Sequence, residues 1–314
     1  MIKKDKSEIK QKLVIFTGYA CNNNCVFCIN ADKRGLRQKT TQEILREIYS
    51  SCREGVDVLE LIGGETTIRD DFFTLLNAAK KMGVKETVIA TNGRMFASPE
   101  FAARAAKAGL GAVIFSVHGS CSKIHDSLTM SEGSFNQLKK GIANFRRIGF
   151  EKINGNTTVV KQNMKDLPRI AAFYVRNGIR NVEYIFVDPN YGGARNNFEK
   201  YVPRISQAAP YMRRALDIGI KAGFSEWKVR YVPLCYFNGY FYNVSEINER
   251  KLFFVKHSAP EFKNDDVLAS RRKFGRKKTA ACKGCSVRRL CEGIWVEYLR
   301  RYGDSELKPI KNEK

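Results

Sequence analysis

Residues 17–30 read TGYACNNNCVFCIN and set three cysteines, Cys21, Cys25 and Cys28, within one short loop. Three thiols are an odd number for disulfides and one short of a closed zinc site. Thiolates crowded in this way are ligands for zinc or for iron–sulfur clusters. A loop supplying three of them can bind three irons of a [4Fe–4S] cube and leave the fourth iron open. The zinc alternative needs a fourth protein ligand, and neither His118 nor His125 stands at zinc-finger spacing from the triplet.

Outward from the loop, apolar runs alternate with amphipathic stretches. LVIFTG (13–18), VDVLELIGG (56–64), ETVIATNG (86–93), AVIFSVHG (112–119), INGNTTVV (153–160) and NVEYIFVDP (181–189) each precede a helical pattern. In the first helix Ile44, Ile48 and Ser51 have helical spacing and Gly55 ends the run. In the third, Ser98 and Pro99 make an N-cap and first-turn pair. The helix after the sixth strand is expected at about 204–222. Six strand–helix units predict a parallel sheet with right-handed crossovers. The pattern suits a barrel, or most of one, as well as an open doubly wound sheet. From about residue 228 the rhythm gives way to YVPLCYFNGYFYNV, a basic run and a second cysteine cluster. A boundary is therefore expected near 225, separating residues 1–225 from 226–314.

Each of the first four strands ends in a polar or glycine-rich signature: the cysteine loop, GGET, TNGR and SVHGS. Singly, Gly63–Gly64, Asn92–Gly93 and Gly119 would be ordinary turn residues. In a parallel barrel all four would converge on the face where strand C-termini open and binding loops gather.

The CxxxCxxC spacing, with the aromatic Phe27 before its last cysteine, resembles the signature of the radical S-adenosylmethionine (SAM) superfamily. GGE after strand two, TNG and SVHG in the following units, and HDSLTMSEGSF (125–135) strengthen the resemblance, which covers roughly residues 13–190. It implies an α/β fold with a partial (β/α)6 TIM-like barrel, a choice that periodicity alone leaves open. It also implies that Cys21, Cys25 and Cys28 ligate the cluster and that SAM chelates the open iron. Gly63, Gly64 and Glu65 would meet the methionine amino group, Ser116 and His118 the sugar or carboxylate, and Phe27 the adenine, with Asn92 and Asn156 as further contacts. Thr66 departs from the family, which often has Pro after the Glu, and this bears on the rigidity of the turn. The implied chemistry is reductive cleavage of SAM to a 5′-deoxyadenosyl radical that takes a hydrogen from a substrate.

A second group, Cys282, Cys285 and Cys291, is spaced CxxCxxxxxC, and Cys235 precedes it in VPLCYF. On spacing alone structural zinc and an iron–sulfur cluster stand equal. The pattern resembles the core of the SPASM and twitch extensions of radical SAM enzymes but lacks the further cysteines of a full SPASM domain. The resemblance thus implies a small C-terminal domain with one auxiliary [4Fe–4S] cluster, fully ligated and suited to electron transfer or structure. Cys52, inside a helix, reads as a small buried hydrophobe. Cys121, after SVHGS, is either a bystander or a substrate-facing thiol.

The 314 residues include 43% hydrophobic side chains, enough for a sizeable core, and no apolar run of membrane-spanning length. MIKKDKSEIKQK leads into only a short apolar run without a cleavage site, so a cytoplasmic chain is expected. Net charge is +23, from 55 basic and 32 acidic residues, concentrated at RRKFGRKK (271–278). That run is either a solvated linker or a contact surface for an anionic partner. The resemblance points to modification of a peptide or protein by crosslinking, epimerisation or oxidation, with a reductant such as flavodoxin or ferredoxin. No separate leader-binding domain is expected before strand one. Modification of tRNA or another nucleic acid, or of a small molecule, is the enzymatic alternative. A non-enzymatic iron–sulfur or zinc protein that binds nucleic acid would leave GGE, TNG and SVHG without a purpose.

Overall fold

The computed structural model describes residues 9–311. Strands β1 (Lys10–Phe16), β2 (Val58–Ile62), β3 (Glu86–Thr91), β4 (Ala112–Ser116), β5 (Ile153–Val159) and β6 (Asn181–Phe186) pair in sequence order, each pair parallel. Helices α1 (Thr41–Arg53), α2 (Phe72–Lys81), α3 (Pro99–Ala108), α4 (Ser122–Thr129), α5 (Ser134–Arg147) and α6 (Leu167–Arg176) lie between them. After β6 come α7 (Gly192–Asn196), α8 (Phe198–Tyr201) and α9 (Ile205–Lys221).

Local chemistry places the helix starts. Thr40 and Glu43 form a reciprocal capping box on α1, satisfying two backbone donors that the first turn leaves free. The Ser98 hydroxyl accepts from the Phe101 N–H at 3.1 Å and Pro99 opens α3, whose end is taken by Gly109 in the left-handed region.

Strand alternation sorts the apolar side chains into two sets. Leu13 and Ile15, Leu59 and Leu61, Val113 and Phe115, and Val182, Tyr184 and Phe186 join the helices in the main core. The intervening residues form two separate clusters on the opposite face. Val14, Phe16, Tyr19 and Val255 make one, and Val58, Val88 and Ala112 the other, with Phe253 packed against both. A sheet with helices on one face and its own apolar filling on the other is a curled wall, here a partial TIM-like barrel.

The wall continues beyond the expected boundary near 225. β7 (Lys228–Arg230) adds to β6, and α10 (Ser245–Leu252) leads to β8 (Phe253–Ser258), which pairs parallel with β1 at the far edge. β9 (Lys263–Asn264) then pairs antiparallel with β8, giving the order β7-β6-β5-β4-β3-β2-β1-β8-β9. Pairing of β8 with the first strand of the chain leaves no local trace in sequence. Residues 265–311 lie outside this sheet, with α11 (Val267–Ser270), β10 (Arg276–Lys277) antiparallel to β11 (Ile294–Trp295), and α12 (Val296–Tyr302).

The basic run is not a linker. Residues 271–275 form a π-helical turn and 276–277 the strand β10. Arg271 is buried in ion pairs with Glu249 and Glu292 at 3.1 and 2.9 Å. Arg276 is buried over the Trp295 ring, 4.6 Å from its centroid. The carboxylates and ring that draw these cations inward come from distant segments. Among the described residues, no helix is long and apolar enough to cross a membrane.

Candidate cofactor site

The cysteine loop follows β1 at the C-terminal ends of the strands, and five other segments hold it. From β2, Gly64 N–H donates to Gly18 O and Glu65 N–H to Ala20 O, both at 2.8 Å. This approach explains the glycines. A Cβ on Gly64 would lie 2.6 Å from the Ala20 and Tyr19 carbonyl carbons, and one on Gly63 would strike Gly18 O. From the α4 end, Leu128 O and Thr129 O accept from Val26 and Asn24 N–H at 3.0 and 2.8 Å. From the start of α7, Gly193 N–H donates to Cys28 O at 2.9 Å. From the β8–β9 turn, Glu261 accepts from the Tyr19 hydroxyl at 2.7 Å and pairs with Lys33 at 2.8 Å.

The fifth segment is TNGR after β3. Arg94 Nη1 donates to Asn22 O and, at 3.0 Å, to Asn23 Oδ1, while its Nε donates to Gln137 Oε1 at 2.7 Å. Arg34, within the cysteine segment's own continuation, donates from Nη1 to Asn23 O at 3.0 Å. Two guanidinium groups thus grip Asn22 and Asn23, the first two of the three asparagines between Cys21 and Cys25. Asn92 Nδ2 donates to Asn22 Oδ1 at 2.7 Å and approaches Cys21 Sγ at 3.9 Å.

Glu65 is placed differently from the open contact expected of it. Its carboxylate is buried; Oε1 accepts from Thr67 N–H and from the Thr67 and Thr91 hydroxyls, and Oε2 from Asn92 N–H at 2.7 Å. It struts the β2 loop against the β3 loop. Burial raises its pKa even against these donors.

Ser116 and Asn156 are cross-strand partners in the β4–β5 register, neither of them in the helix-side core. His118 is buried, its ring 4.8 Å edge-on to Phe27 and stacked on His125 at 5.8 Å. Its Nδ1 accepts from Thr158 N–H at 3.3 Å, and its own N–H donates to His125 Nδ1 at 3.1 Å. Burial holds both imidazoles neutral, with pKa values pushed down to about 3 for His118 and about 4 for His125. Phe27 therefore packs inward against an imidazole. Cys121 is exposed at the start of α4.

The thiols of Cys21 and Cys25 are pushed up by burial, so a metal-free loop resists forming the thiolates that ligation needs. The chemistry of the site suits a cluster. Three soft donors lie in one loop, and Asn23 N–H donates to Cys21 Sγ at 3.4 Å, the kind of bond that tunes cluster sulfurs. In the C-terminal part, Cys235, Cys282, Cys285 and Cys291 line one cavity together with Pro233, Val287 and Leu307. Burial pushes Cys235 up to about 11 and raises Cys291, whose sulfur accepts from Gly293 N–H at 3.3 Å. Among the described residues no three His, Cys, Asp or Glu side chains are gathered around a point that would hold a single ion.

Pattern reading did not single out Arg94, Arg34, Asn30 (whose Nδ2 donates to Gly63 O at 3.0 Å) or the Tyr19–Glu261 clasp. Arg94 stood inside a quoted signature. The pair Gly192–Gly193 was a legible signal, since Cβ atoms there would strike Cys28 O and Val26 O.

The radical SAM superfamily matches residues 15–174, just over half of the chain. Mycofactocin maturase MftC of Mycolicibacterium smegmatis is 32% identical over 163 residues, which are 51% of this chain and 40% of that protein. A probable GTP 3′,8-cyclase of Sulfurisphaera tokodaii is 25% identical over 182 residues, 58% of this chain and 57% of that protein. The chain thus spans about half the length of these relatives. Its fold is similar to that of Streptococcus suis SuiB bound to the precursor peptide SuiA, with a TM-score of 0.62 and 17% identity over 98% of this chain and 76% of that one.

Proposed function

The chain belongs to the radical SAM superfamily, and we propose that it is a peptide- or protein-modifying member carrying one auxiliary [4Fe–4S] cluster in residues 226–314. Membership makes it an iron–sulfur, SAM-dependent enzyme. When bound, the open-iron cluster and SAM together supply a 5′-deoxyadenosyl radical, generated with one electron from an external donor of the flavodoxin or ferredoxin kind.

The chain's own residues do the rest. Cys21, Cys25 and Cys28 hold the cluster, and Arg34 and Arg94 fix the bend between the first two. Gly63 and Gly64 let the β2 loop lie directly on the cysteine loop, leaving backbone groups to meet the SAM amino group. Glu65 serves that contact from behind, by positioning Asn92. Ser116 and Asn156 offer neighbouring polar groups to SAM, and His118, with Nδ1 occupied, has only Nε2 left to offer it.

The observation that carries the auxiliary cluster is that Cys235 and the three thiols of the 282–291 stretch line one cavity. Four protein ligands would leave no iron open, which favours electron transfer or structure over substrate binding. The peptide reading is supported by the likeness to a maturase and to a peptide-bound fold. The cyclase similarity favours a nucleotide as the second reading.

Anaerobic purification and iron analysis test the cluster count. About eight irons per chain are expected, and about four after Cys282→Ala and Cys285→Ala. Stoichiometric zinc would overturn the auxiliary cluster. For the substrate, synthetic peptides rich in acidic and apolar residues, GTP and RNA are each incubated with enzyme, SAM and reductant. A mass change in one of the peptides, absent without SAM, is expected; consumption of GTP or RNA with every peptide unchanged would overturn the peptide reading.

A further inference from the structure

From Val267 to Cys291 the chain carries nine Lys and Arg residues, no Asp or Glu, and a single aromatic, Phe274. Arg271 and Arg276 turn inward, as described. The other seven form no ion pair among the described residues, although many cations elsewhere in the chain do. Lys273, Lys277, Lys283, Arg288 and Arg289 are exposed. Arg272 Nη2 donates to Arg289 O at 3.4 Å, which lays the π-helical turn beside the 288–290 stretch. Phe274 and Leu290 stand out from the same two stretches, 68% and 57% exposed. Like charges close together in the chain and without counter-charges among the described residues repel one another, so this arrangement does not serve stability.

The surface lies beside the cofactor site. Asn190, in the loop after β6, donates to Gly275 O at 3.4 Å and accepts from Glu297 N–H at 3.1 Å. That loop leads directly to Gly193, whose N–H holds Cys28 O.

We propose that this face docks an acidic stretch of a peptide substrate at the rim of the barrel, its carboxylates on the cations and apolar side chains on Phe274 and Leu290. The proposal rests on the peptide reading above and adds where and by what chemistry the substrate is held. Single-stranded nucleic acid fits less well. It stacks successive bases on aromatic faces, whereas this surface has one such ring, with Lys273 Nζ already 5.1 Å from its centroid.

The test is fluorescence anisotropy with the whole reconstituted protein. The probes are a short labelled peptide of Glu and Asp with interspersed Leu, and an oligouridylate of equal charge. The peptide should bind in a salt-dependent way. Lys273→Glu, Lys277→Glu and Arg289→Glu together should weaken it at least about tenfold. Phe274→Ser should weaken it at salt concentrations where charge is screened. Both variants should keep wild-type iron content and substrate-free SAM cleavage. Unchanged peptide binding in the charge-reversed variant overturns the docking face whatever the enzyme modifies, and tighter binding of the oligouridylate than of the peptide overturns it in favour of nucleic acid. An enzyme that consumes GTP or RNA and no peptide overturns the peptide reading instead, whatever the anisotropy shows.

Discussion

Replacing Gly64 with alanine isolates the close approach on which the cofactor site depends. The residue does not occupy the left-handed region, so the substitution carries no backbone strain of its own. Its new methyl carbon would sit 2.6 Å from the carbonyl carbons of Tyr19 and Ala20. Non-bonded carbons rest at about 3.5–4.0 Å, so the cysteine loop must retreat by about 1 Å. Two backbone hydrogen bonds of 2.8 Å, Gly64 to Gly18 and Glu65 to Ala20, then stretch beyond use. Leaving such groups unpaired costs about 1–3 kcal/mol each. The closed loop should lose about 2–6 kcal/mol, or at least about thirtyfold in occupancy. Gly35→Ala, in the segment that follows the same loop, is the control because nothing lies within 4 Å of its Cβ. Both variants are reconstituted anaerobically and assayed for iron per chain, SAM affinity by equilibrium dialysis and 5′-deoxyadenosine formation. Gly64→Ala should retain less iron and bind SAM more weakly, with Gly35→Ala indistinguishable from wild type. Equal iron and SAM affinity in all three would refute the claim that loop-to-loop contact shapes the site.

Arg94→Lys cannot reproduce donation to Asn22, Asn23 and Gln137 at once, so iron should be lost to a chelator about tenfold faster, corresponding to about one charged hydrogen bond; an unchanged rate would sink the clasp. Glu261→Ala leaves the buried Tyr19 hydroxyl without its acceptor, and amide exchange over residues 17–24 should quicken, whereas unchanged protection would show the β8–β9 turn to be a bystander. His118 and His125 are neutral when folded but charge at about 6.5 when unfolded, so stability falls as pH drops from about 6.5 toward 4, by up to about 1.4 kcal/mol per pH unit for each. His125→Asn should flatten the fall of the melting temperature between pH 6.5 and 5, and an identical slope would contradict the buried-neutral assignment.

Periodicity was enough to place the first six strands, because each buries alternate residues against a helix layer and begins or ends on local turn and cap chemistry. The signatures at the strand ends were legible as a group, while the work each residue does was not. Glu65 looks like a ligand-facing acid in sequence; Thr91 and Asn92, from the next unit, turn it into a buried strut. Arg94 was visible inside TNGR, but its targets lie in the cysteine loop, and no local pattern links the two. The two strands of the barrel wall that flank the aromatic stretch were hidden, β7 because it is only three residues long and β8 because its partner β1 lies far away in sequence. The basic run suggested a solvent-facing segment, yet Arg271 and Arg276 are drawn inward by Glu249, Glu292 and Trp295. Charge density along a chain does not disclose which charges find distant partners.

The most direct measurement is 5′-deoxyadenosine formation from SAM by the anaerobically reconstituted, chemically reduced enzyme, compared between wild type and the Cys21→Ala, Cys25→Ala, Cys28→Ala triple variant. The wild type should form product and the variant none, while the variant still holds about four irons in its C-terminal part. Product formed by the triple variant at the wild-type rate would contradict the assignment of the loop after β1 as the seat of catalysis.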